Sequence, residues 1–168
     1  MKSKKGQAAL EFMMTYGWAI LVVLAAIGAL SYFGILDPSR FTPNTCAASS
    51  GFSCDGKPVG ASDNVVFTIS NGAGFDVVLD TANSLTVGQT LLSAGCSKNN
   101  VKIADRGNTS SGIANYTLRD GASATINVSG CTGFANLNII KGDLTFTYTN
   151  AKSALPETLK ITVVAKPK

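Results

Sequence analysis

The chain has 168 residues, with 14 Lys and Arg against 10 Asp and Glu, and contains no histidine. The missing histidine removes the commonest general base and metal ligand. Lys2, Lys4 and Lys5 all precede Gln7, so a chain starting there holds 11 basic against 10 acidic residues, or +1. The calculated pI near 8.9 therefore belongs to the first few residues and is not a nucleic-acid footprint.

In chain order, the first element is apolar. Phe12 to Leu36 is an uncharged run of 25 residues, FMMTYGWAILVVLAAIGALSYFGIL. As a helix rising 1.5 Å per residue it would span roughly 37 Å, more than the roughly 30 Å hydrocarbon core of a bilayer. The lysines upstream belong on the cytoplasmic side, so the C-terminal body is expected outside. Gly17, Ala19, Ala25, Ala26, Gly28 and Ala29 are small enough for close helix packing. Tyr16, Trp18, Tyr32 and Phe33 fit either an interfacial belt or contacts between subunits. Asp37-Pro38 is expected to end the helix, because proline disfavours helical geometry in the residue before it.

Three readings of this N-terminus compete. An ordinary secretory signal has a shorter apolar region and a small-residue cleavage site, whereas Asp37-Pro38-Ser39-Arg40 follows here. An uncleaved single-span anchor gives Glu11 no reason to border the apolar run, since an unpaired carboxylate there is costly. The third reading rests on Lys4-Lys5-Gly6-Gln7-Ala8-Ala9-Leu10-Glu11 directly before the apolar run. This stretch resembles the processing site of archaeal type IV pilin-like precursors with a class III signal peptide. That family shows basic residues, Gly, Gln and a Glu at the fifth mature position; Ala9 departs, where Ser is usual. The resemblance covers about the first 36 residues. It implies cleavage between Gly6 and Gln7 by a membrane prepilin peptidase, which removes residues 1–6 and keeps 7–36 as the membrane and filament-core helix. It also implies that Glu11 pairs with the free α-amine of Gln7, on its own or a neighbouring subunit, and so fixes axial register.

The rest of the chain reads as strands and turns. Residues 37–64 hold Pro38, Pro43 and Pro58 with little apolar periodicity and are expected to be a linker with a small disulfide loop. Residues 65–168 are expected to form a β-rich extracellular head. Val65 to Ser70 is the clearest strand, and Asn71-Gly72 a turn signal. Further runs are Phe75–Leu79, Leu85–Leu92, Val101–Ala104, Asn115–Leu118 and Thr125–Ser129, the last alternating with period two. Leu137–Ile140 and Leu144–Thr149 are read as two strands flanking a Gly142-Asp143 turn, and Leu159–Ala165 as the last strand. The fold class expected is α+β: a long N-terminal apolar helix followed by an antiparallel β-sandwich-like head.

Cys46, Cys54, Cys96 and Cys131 all follow the apolar run. An even number there points to disulfides in an extracytoplasmic space. Three connectivities exist. Cys46–Cys54 is favoured as local, leaving Cys96–Cys131. A zinc site is disfavoured, because no CxxC and no histidine are present. Asn108, Asn115 and Asn127 each begin an N-glycosylation sequon. Asp105 to Thr109 matches no calcium loop and reads as a solvated turn. Leu155-Pro156-Glu157-Thr158 resembles a sortase motif, but Leu159 stands where glycine is required.

No catalytic arrangement emerges. Without histidine the Ser-His-Asp triad cannot form, and neither Gly-x-Ser-x-Gly nor a phosphate-binding loop is present. The expectation is a non-enzymatic protein without catalytic residues, metal or cofactor. The pilin resemblance implies a structural subunit of an extracellular filament used for adhesion or surface attachment. It begins as a membrane-inserted precursor, and its partners are the membrane, the prepilin peptidase, an assembly platform and further pilin copies in a homopolymer or mixed filament, with no nucleic acid. Two alternatives stand beside it: a single-span anchored surface protein with a ligand-binding β domain, and a minor pilin-like component of a secretion or uptake machine.

Overall fold

The structure, a computed structural model, describes residues 4–37, 41–49, 51–106, 115–150 and 152–167, and only the backbone of 4–8. The chain divides after Thr42 into two units, Met1–Thr42 and Pro43–Lys168.

The first unit is helix α1, Lys4–Tyr32. Its Ala, Leu and Met residues favour helix, and no proline interrupts it. Its end differs from the expectation that Asp37-Pro38 would stop it. Gly34 adopts φ 68°. The Gly34 amide donates to the Ser31 carbonyl at 3.0 Å, and the Ile35 amide to the Leu30 carbonyl at 3.2 Å. This is the Schellman arrangement, in which a left-handed glycine satisfies the last carbonyls. The helix thus stops at a glycine inside the apolar run, several residues before the proline.

Among its described residues the second unit contains ten strands: β1 Thr45–Ala48, β2 Phe52–Gly60, β3 Asn64–Asn71, β4 Val77–Asp80, β5 Leu85–Val87, β6 Val101–Asp105, β7 Asn115–Leu118, β8 Ser123–Ser129, β9 Ile140–Thr149 and β10 Pro156–Ala165, with a short helix α2 at Gln89–Ser93. They form sheets ordered β1-β10-β9-β5 and β2-β3-β8-β6, plus a β4-β7 pair. Every strand pairing is antiparallel. The class is α+β, an apolar N-terminal helix followed by antiparallel sheets.

Alternation builds the core. In β3 the inward residues Val65, Phe67 and Ile69 are buried while their neighbours are half-exposed. In β9, Ile140, Leu144 and Phe146 do the same. A gap of only about 10 Å³ remains between Val65, Phe67 and Val128 of one sheet and Ile140, Leu144 and Val163 of the other. That is barely room for one water. Each fully buried Leu, Ile or Phe contributes about 1.5–3 kcal/mol relative to exposure.

Several elements differ from the sequence reading. The 37–64 stretch, read as linker, holds β1 and β2. Strand β2 accepts Pro58 because it lies at a sheet edge, with a register irregularity between Asp55 and Val59. Leu85–Leu92, read as one strand, splits into β5 and α2. Gly142-Asp143, read as a turn, lies inside the unbroken strand β9. The reason is packing: a Cβ on Gly142 would sit 2.5 Å from Leu91 Cγ, so glycine lets α2 lie on the strand. Leu137–Ile140 is not a strand, apart from Ile140 itself; a 3-10 turn, Phe134–Asn136, precedes it and buries Phe134.

Candidate functional site

Ala9–Tyr32 is long and apolar enough to cross a membrane, with mean hydropathy 2.0, and none of it is buried within the chain. Met13, Trp18 and Leu21 are exposed. Phe12, Tyr16, Ala19, Ile20, Val23 and Leu24 line a shallow apolar concavity along one side of the helix, at the spacing that places side chains on one face. The Phe12 and Tyr16 rings stand 4.5 Å apart.

Glu11 lies on this helix with its side chain exposed. Thr15 Oγ1 donates to the Glu11 carbonyl at 2.8 Å, which satisfies the threonine but leaves the carboxylate untouched. Among the described residues Glu11 has no ion-pair partner. Gly6 and Gln7 are helical in backbone, so α1 runs continuously across the bond between them.

The structure brings the four cysteines together in two pairs. Cys46 on β1 is bonded to Cys54 on β2, with Cα atoms 5.8 Å apart. These strands belong to different four-stranded sheets, so the bond ties two sheet edges. Cys96 is bonded to Cys131 across 4.7 Å, and both are buried. That bond joins the segment after α2 to the end of β8. Gly95 precedes it at φ +75°, where a Cβ would lie 2.4 Å from Thr132 Oγ1, so a side chain there would strain the approach to the disulfide.

Of the sequons, Asn108 lies outside the described residues. Asn115 is exposed at the start of β7. Asn127 is half-buried in β8, between β3 and β6, opposite Val66 and Lys102. Pro156 to Thr158, which precede the expected last strand, already belong to β10. Among the described residues no cluster of His, Cys, Asp or Glu is suited to a metal ion.

A polar constellation on the second unit escaped sequence reasoning. Asp55 Oδ2 accepts from Ser70 Oγ at 2.6 Å and Ser123 Oγ at 3.0 Å, and faces Arg106 at 3.7 Å. The two serine hydroxyls, and secondarily Arg106, hold the Asp55 carboxyl below the usual carboxylate range. Beside it Tyr116 donates to Asp105 Oδ1 at 2.8 Å. Partial burial, reinforced by that carboxylate, pushes the Tyr116 phenol up to about 12. Asp105, Arg106, Tyr116, Thr117, Arg119 and Ser123 line an open groove of about 500 Å³. Its residues come from β6, β7, β8 and the β7–β8 turn, all within residues 105–123, and match no recognised motif.

No protein-family model matches the chain, and no curated protein matches it.

Proposed function

We propose that the protein is a structural, non-enzymatic subunit of an extracellular filament of the archaeal type IV pilin-like kind. The observation that carries this is α1: a helix long and apolar enough to cross a membrane, whose apolar side chains the rest of its own unit does not cover, with a carboxylate near its start that has no ion-pair partner among the described residues. Lipid satisfies the apolar side chains of the precursor. Other copies of α1 replace lipid in the filament. Because lipid tails are already apolar, that exchange gains little from hydrophobicity; close packing and polar pairing must drive it. Cleavage at Gly6–Gln7 would create an α-amine four residues before Glu11, and the resulting ion pair relieves the cost of a carboxylate in an apolar setting.

The two four-stranded sheets are read as the layers of a disulfide-braced sandwich, a reading supported by the narrow apolar gap lined from both. This head would lie outside the cell and form the filament surface, available for attachment and for glycans at exposed sequons such as Asn115. The prepilin peptidase and an assembly platform are the processing partners.

The test is N-terminal peptide and intact-mass spectrometry on sheared surface filaments and on membranes. A chain beginning at Gln7 in the sheared fraction supports the reading. A chain that keeps Met1 to Gly6 and stays in membranes overturns it in favour of an anchored surface protein. A start beyond α1 would make the helix a secretory signal.

A further inference from the structure

We propose that the groove formed by β6, β7, β8 and the β7–β8 turn binds an acidic saccharide, a sugar unit bearing one carboxylate. The argument starts from which groups in the groove are already committed. Asp55 holds Ser70, Ser123 and Arg106. Asp105 takes the Tyr116 hydroxyl on Oδ1, which leaves Oδ2 facing no donor among the described residues. Arg119 is exposed, and among the described residues its guanidinium has neither hydrogen bond nor ion pair. Thr117 adds a hydroxyl to the lining.

The groove lining therefore includes an uncommitted planar cation, Arg119, and an uncommitted acceptor oxygen, on Asp105. A planar guanidinium matches a carboxylate in two parallel hydrogen bonds. A carboxylate acceptor such as Asp105 needs a donor, and sugar hydroxyls supply donors. A neutral sugar would leave Arg119 unused. A phosphate or polyanion would bring more than one negative charge beside Asp105, with only Arg119 free to balance it. An acidic peptide has the same difficulty. One negative charge together with several hydroxyls is the ligand chemistry that uses both groups. The volume, about 500 Å³, lies within the range of small-molecule sites. Tyr116 keeps its proton at neutral pH and so holds Asp105 in place. The proposal goes beyond the filament reading and does not depend on processing at Gly6.

The experiment uses the full-length chain in detergent micelles, produced without glycosylation so that Asn115 carries no sugar. Trimers carrying a single terminal galacturonate or glucuronate unit, and so one carboxylate each, are titrated against the matching neutral galactose and glucose trimers and against inorganic phosphate. Calorimetry gives affinities and backbone amide NMR gives the location. At least one acidic trimer is expected to bind about tenfold or more tightly than its neutral counterpart, a factor that one charged hydrogen-bonded pair readily supplies. Shifts should concentrate at residues 105–106 and 115–123. Arg119→Gln should erase the preference while leaving the melting temperature unchanged, and Arg119→Lys should keep only part of it. Equal affinity for acidic and neutral trimers, absence of saturable binding, phosphate binding as tight as the trimers, or a preference that survives Arg119→Gln would each overturn the proposal.

Discussion

In α1, Met13, Trp18 and Leu21 expose 71%, 66% and 67% of their surface, whereas Phe134, Phe146 and Ile126 in the second unit expose none. Both regions are rich in apolar residues, yet they treat them in opposite ways. The strands of the second unit alternate, so one side of each lies in the core and the other is more exposed. The helix is apolar all round, and a helix of that kind needs cover that its own unit does not supply. The difference separates stability from assembly. The second unit carries its own core and two disulfides; α1 carries an exposed apolar surface, on which the proposed assembly would act.

The sharpest way to break this comparison is to separate the regions. Residues 43–168 produced alone should be soluble without detergent and melt as the full chain does in micelles. Full-length chain should sediment with membranes or micelles. Ultracentrifugation and a thermal melt read both, and an aggregating 43–168 fragment would show that the second unit relies on α1. Next in size is Glu11→Gln. It should lower filament yield on cells at least about tenfold, given that a charged hydrogen-bonded pair in an apolar setting is the interaction removed. The second unit's melting temperature should not move. Normal filament numbers by electron microscopy would remove the assembly role from Glu11.

Within the second unit, Phe146→Ala should cost about 3–5 kcal/mol, the usual range for deleting a buried aromatic ring. Met13→Ala on α1 should leave the same melt unaltered. The disulfides rank below the core and differ from each other. Their sequence separations are 35 and 8 residues. Loop-closure entropy then gives about 4 kcal/mol for Cys96–Cys131 and about 2.5 kcal/mol for Cys46–Cys54. Paired Cys→Ala variants, unfolded in denaturant, should reproduce that order. A larger loss from the Cys46–Cys54 pair would mean that tying two sheet edges matters more than loop length.

Parts of this architecture were legible in the sequence for physical reasons. A charge-free run as long as Phe12 to Leu36 has few structural options, and period-two alternation in Val65–Ser70 or Thr125–Ser129 has few others. Two of the errors share one cause, namely glycines judged by local propensity alone. Gly142 looked like a turn beside Asp143, but its missing Cβ makes room for Leu91 from α2, a contact that no local window contains. Gly34 was passed over for Pro38, although a left-handed glycine ends a helix as effectively as a proline and comes first. The Asp55 cluster was invisible because Asp55 meets Ser70 and Ser123, 15 and 68 residues away. Such a cluster exists only once β2, β3 and β8 are aligned in register.

The smallest effect predicted is a pH dependence confined to the second unit. Tyr148 is buried and donates to Glu157 Oε2 at 2.9 Å, while Asn150 donates to the other carboxylate oxygen at 2.6 Å. Burial first, and then the neighbouring carboxylate, push the Tyr148 phenol up to about 12, above its ordinary value near 10. A group raised on folding stabilises the native state fully below its unfolded value. Between about pH 10 and 12 the unfolded chain releases this proton and the folded chain keeps it. Stability should therefore fall as pH rises through that window. Tyr116 titrates in the same interval, so Tyr148→Phe should flatten the slope in part and the Tyr116→Phe, Tyr148→Phe pair should flatten it further. Chemical denaturation of 43–168 at several alkaline pH values reads the slope directly. The α1 tyrosines, Tyr16 and Tyr32, are absent from that fragment, which makes the measurement a property of the self-contained core alone. A slope unaltered by both substitutions would mean that groups other than these two phenols set the alkaline limit of the fold.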